Sequence, residues 1–375
     1  MWCWLLFASL VLRCAARVHI PSSKSTVDVK VINVANFTAP LAGAVFQPVL
    51  PGHEVLSIPM HAFLVEHGTS GKRLMFDLGM RSDPQNLAPS ISSLFFKTGV
   101  YSAAPFKDIT ELLNEGGIPL DSIETVIWSH SHFDHIGDMS RFPNTTNLVI
   151  GPGTNRSLYP EFSDAALQAS DFAGHKVTEL DFDGTNLTLS GFPALDYFGD
   201  GSFYLLNTPG HLDGHITALA RVTPSFIVLG ADTCHHAGQM RPRPEFQHAY
   251  PCPAHLLAQA RATVSTQYFW SPESRPGVFD MRSRAQPLLS IVDRPNGIDQ
   301  DPVAGRVSLD KITNFDAHED FFVVLAHDVS LLGVLPYFPK SLSGWRHHGM
   351  KEHAVWAFLD ERNPAFRFGP VMAAF

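Results

Sequence analysis

The chain has 375 residues, of which 45% are hydrophobic and 17% are charged, so it is long enough to bury a sizeable core. Its formal net charge of −9 argues against nucleic acid or an anionic membrane as the main partner, because both need a basic surface. No block of like charges, heptad run or short-period repeat is present. The composition is typical of a globular enzyme and excludes a fibrous or linker-rich protein.

The first sixteen residues are predicted to be a signal peptide, so secretion is expected. Residues 2–12 form a mainly apolar run that is too short to span a bilayer, and Cys14 and Ala16 are small enough to allow cleavage before Arg17. Four Asn-X-Ser/Thr sequons fit a secreted glycoprotein, at Asn36, Asn144, Asn155 and Asn186. No stable membrane insertion is expected. The alternative is a cytoplasmic protein with an unprocessed leader or a buried N-terminal strand.

Residues 17–375 are predicted to form one domain, because no stretch has the composition of a linker. Apolar and alternating runs predict strands at residues 27–32, 62–65, 73–77, 125–128, 148–150, 203–206, 226–229 and 321–326. Helical spacing predicts helices at residues 106–115 and 255–263, whereas 308–316 could be a helix or a loop. Residues 267–303 show no clear period and are interpreted as an excursion near the active site.

Cysteine usage leaves the redox state open. Cys3 and Cys14 would leave with the leader, whereas Cys234 and Cys252 would remain. The remaining pair could form a disulfide or stay as buried thiols. No C-x-x-C or other thiolate pattern for a metal is present.

A cluster of metal-binding side chains directly follows the predicted strand at residues 125–128. His130, His132, Asp134 and His135 place four such groups within six residues. Imidazole and carboxylate are ligands that a borderline cation such as zinc accepts. Side chains at i and i+2 of an extended segment point the same way, so His130 and His132 can share one metal. Asp134 and His135 would then turn towards a second metal.

Three further side chains follow the ends of other predicted strands, namely His211, Asp232 and His327. Loop residues converge at the carboxyl ends of the strands of a sheet. A lone histidine in such a place is usually a hydrogen-bonded loop residue. Three such residues together with the cluster predict one shared metal site.

These motifs resemble the metallo-β-lactamase superfamily, and within it the lactonase-like branch, including its fungal members, that binds two metals without a cysteine ligand. The resemblance covers roughly residues 55–365 and rests on Phe76-Asp77-Leu78-Gly79, the cluster from His130 to Gly137, Thr208-Pro209-Gly210-His211, Gly230-Ala231-Asp232 and Ala326-His327-Asp328. It implies an α/β fold, a four-layer αββα metallo-β-lactamase sandwich with the site at one edge of the sheets.

The resemblance also implies a role for each side chain in a site for two Zn²⁺ ions per chain, with iron or manganese possible. The first metal would be held by His130, His132 and His211, the second by Asp134, His135 and His327, and both by a bridging Asp232. A hydroxide between the metals would attack the carbonyl of a lactone, another cyclic ester or a related amide. Asp134 would carry the proton to the leaving group or would serve only as a ligand.

One position departs from the family pattern. In bacterial lactonases of this branch, a tyrosine three residues beyond the bridging aspartate helps to hold the substrate carbonyl, and here that position is His235, followed by His236. An imidazole could donate a hydrogen bond to the developing oxyanion, so His235 is a candidate catalytic residue. A solvated loop is the alternative interpretation. Asp77 is expected to pair with a metal-binding histidine or to cap a local turn.

The expected partner is a small-molecule lactone or ester, and the oligomeric state is left open. Phe133 and Met240 could line an apolar acyl pocket, whereas Trp128 is better explained by core packing. His61, His347 and His348 are expected to be surface or structural residues. The alternative activity on the same site is a thioesterase, either glyoxalase-II-like or polyketide-releasing. A metal-free binding protein that keeps the fold is the alternative of a different class.

Overall fold

The computed structural model describes residues 18–104, 107–270, 279–282 and 284–370. The predicted leader at residues 1–16 lies outside the described residues. The strands are β1 (Val27–Ala39), β2 (Leu56–His67), β3 (Arg73–Phe76), β4 (Ser102–Ala104), β5 (Ile123–Ile127), β6 (Asn147–Ile150), β7 (Leu158–Tyr159), β8 (Leu167–Gln168), β9 (Val177–Glu179), β10 (Thr188–Leu189), β11 (Phe192–Asp196), β12 (Phe203–Asn207), β13 (Ile216–Val222), β14 (Ser225–Ala231) and β15 (Phe321–Leu325). The α-helices are α1 (Ala42–Val45), α2 (Pro89–Phe96), α3 (Ile109–Glu115), α4 (Phe133–Ile136), α5 (Pro244–Ala249), α6 (Ala254–Thr263), α7 (Thr266–Phe269), α8 (Pro302–Asp316) and α9 (Met350–Ala354).

Most of these strands form two large mixed sheets. The first has the order β4-β1-β2-β3-β5-β6-β9, and the second has the order β10-β11-β12-β13-β14-β15. In the first sheet, β3, β5, β6 and β9 run parallel. In the second sheet, β11 to β14 form an antiparallel meander, and β15 runs parallel to β14. Parallel neighbours end at the same edge of a sheet, so the loops after β5, and those after β14 and β15, can meet there.

The two sheets pack face to face with helices outside them, as the predicted four-layer sandwich requires. Val27, Val29 and Val31 of β1 alternate inward and share one buried cluster with Phe203 and Leu205 of β12. The outer face of the first sheet packs against α3 and α6. The outer face of the second sheet packs against the buried side of α8. The layers therefore follow the order αββα.

The predicted strands are confirmed, and their bounds differ for local reasons. β1 continues to Ala39 beyond the predicted run, because a register shift between Asn33 and Asn36 interrupts the alternation that marks a strand. The helix predicted from residue 106 begins at Ile109, where the Asp108 side chain accepts hydrogen bonds from two backbone amides of the first turn. Phe106 lies outside the described residues. The stretch at residues 308–316 is the second half of helix α8.

Two further expectations can be compared with the described part of the chain. Cys234 and Cys252 are both buried free thiols, so the disulfide alternative is not formed here. Among the described helices, none combines the length and the hydropathy that crossing a bilayer requires.

Candidate metal centre

The predicted metal-binding side chains all lie just beyond strand ends at one edge of the sandwich. His130 follows β5, His211 follows β12, Asp232 directly follows β14, and His327 follows β15. Backbone hydrogen bonds fix these loops on one another. Ile216 N donates to Ser129 O across the two sheets at 2.8 Å, and Ala326 N donates to Ala231 O at 3.1 Å. The sandwich therefore brings residues nearly 200 positions apart in sequence into one buried cluster.

One group of ligand atoms consists of three imidazole nitrogens. His132 Nδ1 lies 2.9 Å from His130 Nε2 and 3.0 Å from His211 Nε2. Tetrahedral ligands about 2.0–2.1 Å from one zinc ion lie about 3.3 Å apart, so these separations suit a shared cation. Asp232 Oδ2 completes the group at 3.4 Å from His211 Nε2 and 3.8 Å from His130 Nε2.

A second group of ligand atoms lies on the other side of the same aspartate. His135 Nε2 and His327 Nε2 are 3.2 Å apart, and Asp134 Oδ2 is 3.5 Å from His327 Nε2. Asp232 Oδ1 lies 3.2 Å from each of these two imidazole nitrogens. The two carboxylate oxygens of Asp232 thus face two different groups. Within each group the candidate ligand atoms lie within 4.8 Å of one another.

The protonation chemistry of these groups fits divalent cations. Burial, reinforced by neighbouring imidazoles, lowers the pKa of His130 well below its usual value and leaves the ring in the neutral form that binds metal. For His135 burial also lowers the pKa, but the Asp232 and Asp77 carboxylates outweigh it and raise the pKa well above normal. Carboxylates that favour a proton there would equally favour a cation. Buried Asp232 Oδ1 and His235 Nε2 have no hydrogen-bond partner among the described residues.

Asp77 anchors both the second group and the loop that carries the first. Its Oδ2 lies 2.8 Å from His135 Nδ1, and its carboxylate also accepts hydrogen bonds from the backbone N and the Oγ of Ser129. The predicted pairing with a metal-binding histidine is therefore present, and the alternative of a local turn cap is not. Asp77 adopts a φ of 62°, an uncommon conformation that is retained where the surroundings enforce it.

Sequence reasoning did not identify Asp299, which holds the outer nitrogen of His211. Asp299 Oδ1 lies 3.0 Å from His211 Nδ1, and burial raises the pKa of this carboxyl to about 6. Backbone bonds dock this segment, because Gln300 N donates to His211 O at 3.0 Å and Asp301 N donates to Gly210 O at 2.8 Å. Gly210 is required there, since a Cβ would lie 2.2 Å from the backbone of Gly305. The predicted excursion at residues 267–303 thus does reach the site.

His215 is a second residue that sequence reasoning missed. Its Nδ1 lies 2.8 Å from Thr208 O, and its Nε2 accepts a hydrogen bond from Asp232 N at 3.3 Å. Burial lowers the pKa of His215 to about 4, so the ring is neutral and can accept that bond. It therefore positions the backbone of Asp232. The available signal was its place four residues after His211, on the same strand-linking turn.

His235 faces the cluster, whereas its neighbour His236 turns away. His235 is only 4% exposed, its Nε2 lies 3.2 Å from Asp232 Oδ2, and its ring is parallel to that of His327 at 5.7 Å. The solvated-loop interpretation of this pair is wrong, because both rings are buried. His236 Nε2 lies 2.7 Å from Ala365 O, and its Nδ1 accepts from Gly238 N. His236 is structural.

The other singled-out side chains have structural explanations. His61 is buried between Leu325 O and the Tyr337 hydroxyl, while His347 and His348 are exposed. Trp128 packs in the core as expected, with its ring 5.6 Å from that of Phe172. The pocket role considered for Met240 is wrong, because this side chain is buried in the cluster beneath the second sheet. Phe133 is half-buried and stacks on Tyr101 at 5.9 Å.

Comparison with known proteins identifies the family. The model of the metallo-β-lactamase superfamily matches residues 59–222. The metallo-hydrolase mfmC of Annulohypoxylon moriforme is 38% identical over 358 residues, which cover 92% of this chain and 90% of that protein. The chain belongs to the metallo-β-lactamase superfamily. The predicted family and fold are thereby confirmed, and the chain is a metal-dependent hydrolase with two His/Asp groups that could hold a metal ion.

Two further proteins are similar to this chain. The gamma-lactamase FDB1 of Fusarium pseudograminearum is 35% identical over 92% of this chain and 85% of that protein. A solved quorum-quenching N-acyl homoserine lactone hydrolase superposes with a TM-score of 0.51 over 86% of this chain and 100% of that chain, at 16% identity. The structural match supports the fold. The roles of the individual side chains stay predictions.

Proposed function

We propose that this metal-dependent hydrolase binds two zinc ions and opens a lactone, another cyclic ester or a related cyclic amide. The observation that carries the proposal is the position of Asp232, whose two oxygens lie 3.2–3.8 Å from nitrogens of two separate ligand groups. A carboxylate in this position can bridge two cations. The similarity to a protein named gamma-lactamase supports a cyclic amide or ester as the substrate class.

In this proposal the two groups divide the cations between them. One cation is held by His130, His132 and His211, the other by Asp134, His135 and His327, and both by Asp232. Imidazole and carboxylate donors suit zinc, and iron or manganese would also be accepted. When bound, such a pair supplies a water of lowered pKa as nucleophile and polarises the substrate carbonyl.

Asp134 is the residue that we assign to proton transfer. It lies at the open side of the second group, next to the half-buried His132, and remains 9% exposed. Ring opening adds water to the carbonyl carbon and breaks the bond to the ring oxygen or nitrogen. The leaving atom takes up a proton, and the single product carries both a carboxylate and an alcohol or amine. A carboxylate beside the reacting atoms can accept that proton and pass it on.

His235 is assigned the role of hydrogen-bond donor to the substrate oxygen. The outer ring nitrogens of His135, His211 and His327 are held by Asp77, Asp299 and the Pro59 carbonyl, respectively. Ligating histidines are usually fixed in this way. His235 Nε2 faces the cluster and has no hydrogen-bond partner among the described residues, so it can contact a substrate oxygen.

Replacement of His235 tests this role. We expect His235→Phe to keep both metals and to lower kcat about 10²–10³-fold, the usual effect of losing one oxyanion donor. His235→Gln, which retains an N–H, should recover part of the loss. Metal content must be measured beside kcat, because loss of one metal per chain in both variants would identify His235 as a ligand and contradict the assignment.

The proposed function is tested by metal analysis together with rates on matched substrates. The purified chain should hold two zinc ions, and kcat/KM should be higher for γ-lactones or γ-lactams than for thioesters of the same acyl chain. A preference for the thioesters would favour the thioesterase alternative instead. Less than one metal per chain, with no hydrolysis, would favour a metal-free binding protein. The exposed His347→Ala variant is the matched control and should match the wild type.

A further inference from the structure

A cavity of about 510 Å³ opens onto the metal-binding cluster at Ser131 and His132. Its walls come from four separate parts of the chain. These are helix α2, the loop at residues 155–167, the turn after His211 and the segment at Gln300. Because the cavity reaches His132, a substrate bound to the cluster would place its remaining atoms here.

The charged carboxylate side chains in the described lining of this cavity are all acidic. Asp164 and Asp213 line it, and no lysine or arginine does so among the residues that the structure describes. The Asp213 carboxylate is held in place, because Gln300 Nε2 donates to its Oδ2 at 2.8 Å while Asp213 N donates to Gln300 Oε1 at 2.9 Å. Arg156 belongs to the loop at residues 155–167, but it is paired with Glu179 at 2.6 Å and does not line the cavity.

Part of the uncharged wall is apolar. Ile91, Phe162 and Leu212 line the cavity, and Phe162 is 46% exposed. Ile91 belongs to helix α2 and is half-buried. Apolar surface beside a ligand cavity is suited to an apolar part of a ligand.

From these observations we infer that Asp164 and Asp213 make this cavity select cyclic substrates without negative charge, carrying an apolar substituent. The inference rests on the proposed function, because it names the substrate class of the same site. Ring opening turns a neutral lactone into a hydroxy-carboxylate, which carries a negative charge. The same two aspartates would therefore repel the product and favour its release, since like charges a few ångströms apart disfavour each other.

The test compares two γ-lactones on the zinc-loaded full chain. Both carry a side chain of equal length, which ends in a methyl group in one and in a carboxylate in the other, so that the reacting ring is the same. We expect wild-type kcat/KM to be at least about tenfold higher for the neutral lactone. The double variant Asp164→Asn/Asp213→Asn should reduce that ratio about fivefold, and added salt should reduce it in the wild type.

The control is Asp183→Asn, which removes an exposed carboxylate that does not line the cavity and should leave the ratio unchanged. An equal ratio in the wild type and the double variant, or a wild-type preference for the anionic lactone, would overturn the inference. Failure to open either lactone would instead contradict the proposed function. Calorimetric binding of the two lactones would still test the charge argument in that case, with weaker binding of the anionic lactone supporting it.

Discussion

Replacing Asp232 by alanine should weaken the binding of both metals together and abolish turnover. The carboxylate is 2% exposed, and its oxygens lie within 3.8 Å of nitrogens from five histidines. Each proposed cation therefore loses one ligand. The substitution also leaves several buried imidazoles close together without the carboxylate that they shared. These two effects act in the same direction, against cation binding.

The magnitude follows from the number of ligands. A zinc ion held by four protein side chains binds with about 10–16 kcal/mol, so one ligand contributes about 3 kcal/mol. That value corresponds to an affinity about 100-fold weaker at each of the two positions. Turnover should fall below detection, because both cations are needed for the proposed reaction.

The assay is metal content after dialysis against a zinc buffer, followed by lactone hydrolysis. Asp299→Ala is the matched control, because the Asp299 carboxylate holds the outer nitrogen of His211. Loss of such a supporting partner usually costs 10–100-fold in affinity, so this variant should weaken one metal and keep the other. Two tightly bound zinc ions in Asp232→Ala, or retained hydrolysis, would refute the bridging role.

Three further outcomes are expected. Burial lowers the pKa of both His61 and His236 from 6.5 to about 4, so the unfolded chain takes up protons first as the pH falls. The free energy of unfolding should therefore decrease as the pH falls from about 6.5 to about 4, by up to about 3 kcal/mol per histidine. Urea unfolding at several pH values measures this decrease, and a constant free energy would contradict the prediction. Arg241→Met leaves the buried Asp316 carboxylate unpaired and should destabilise the fold by about 3–5 kcal/mol, measured by the same method. A chelator should lower the denaturation midpoint, and zinc at about 100 times its Kd should restore about 2.7 kcal/mol.

The strands and the candidate metal-binding side chains could be predicted from sequence patterns, whereas the four-layer sandwich and the role of each ligand were implied by the resemblance to the family. Val27, Val29 and Val31 alternate as a half-buried strand does, and the apolar run before His130 is typical of a strand buried on both faces. Side chains that follow such strands converge at one edge of the sheets. The split within the cluster also follows from local geometry, since His132 still lies in extended backbone and Asp134 lies in helix α4.

The supporting residues could not be derived in the same way. Asp299 lies 88 positions from His211 in a segment without period, and only tertiary backbone pairing brings the two together. His215 was visible as a histidine near His211, but its contact with the backbone of Asp232 depends on how β13 pairs in the sheet. The cavity is still harder to predict from the sequence, because its lining comes from three loops and a helix that share no sequence pattern.

The candidate ligands on strand ends and the cavity-lining residues on loops affect specificity differently. The candidate ligands stand on strand ends that are fixed by two buried cores, so substitutions there alter the metals and the fold together. Asp164, Asp213 and Phe162 stand on exposed segments and contact no candidate ligand, so they can change without disturbing metal binding. His235 lies between these two sets, since it follows β14 and its Nε2 faces the cluster without a hydrogen-bond partner among the described residues. Variation at the loops should therefore change which ring is opened, whereas variation at His235 should change how fast any ring is opened.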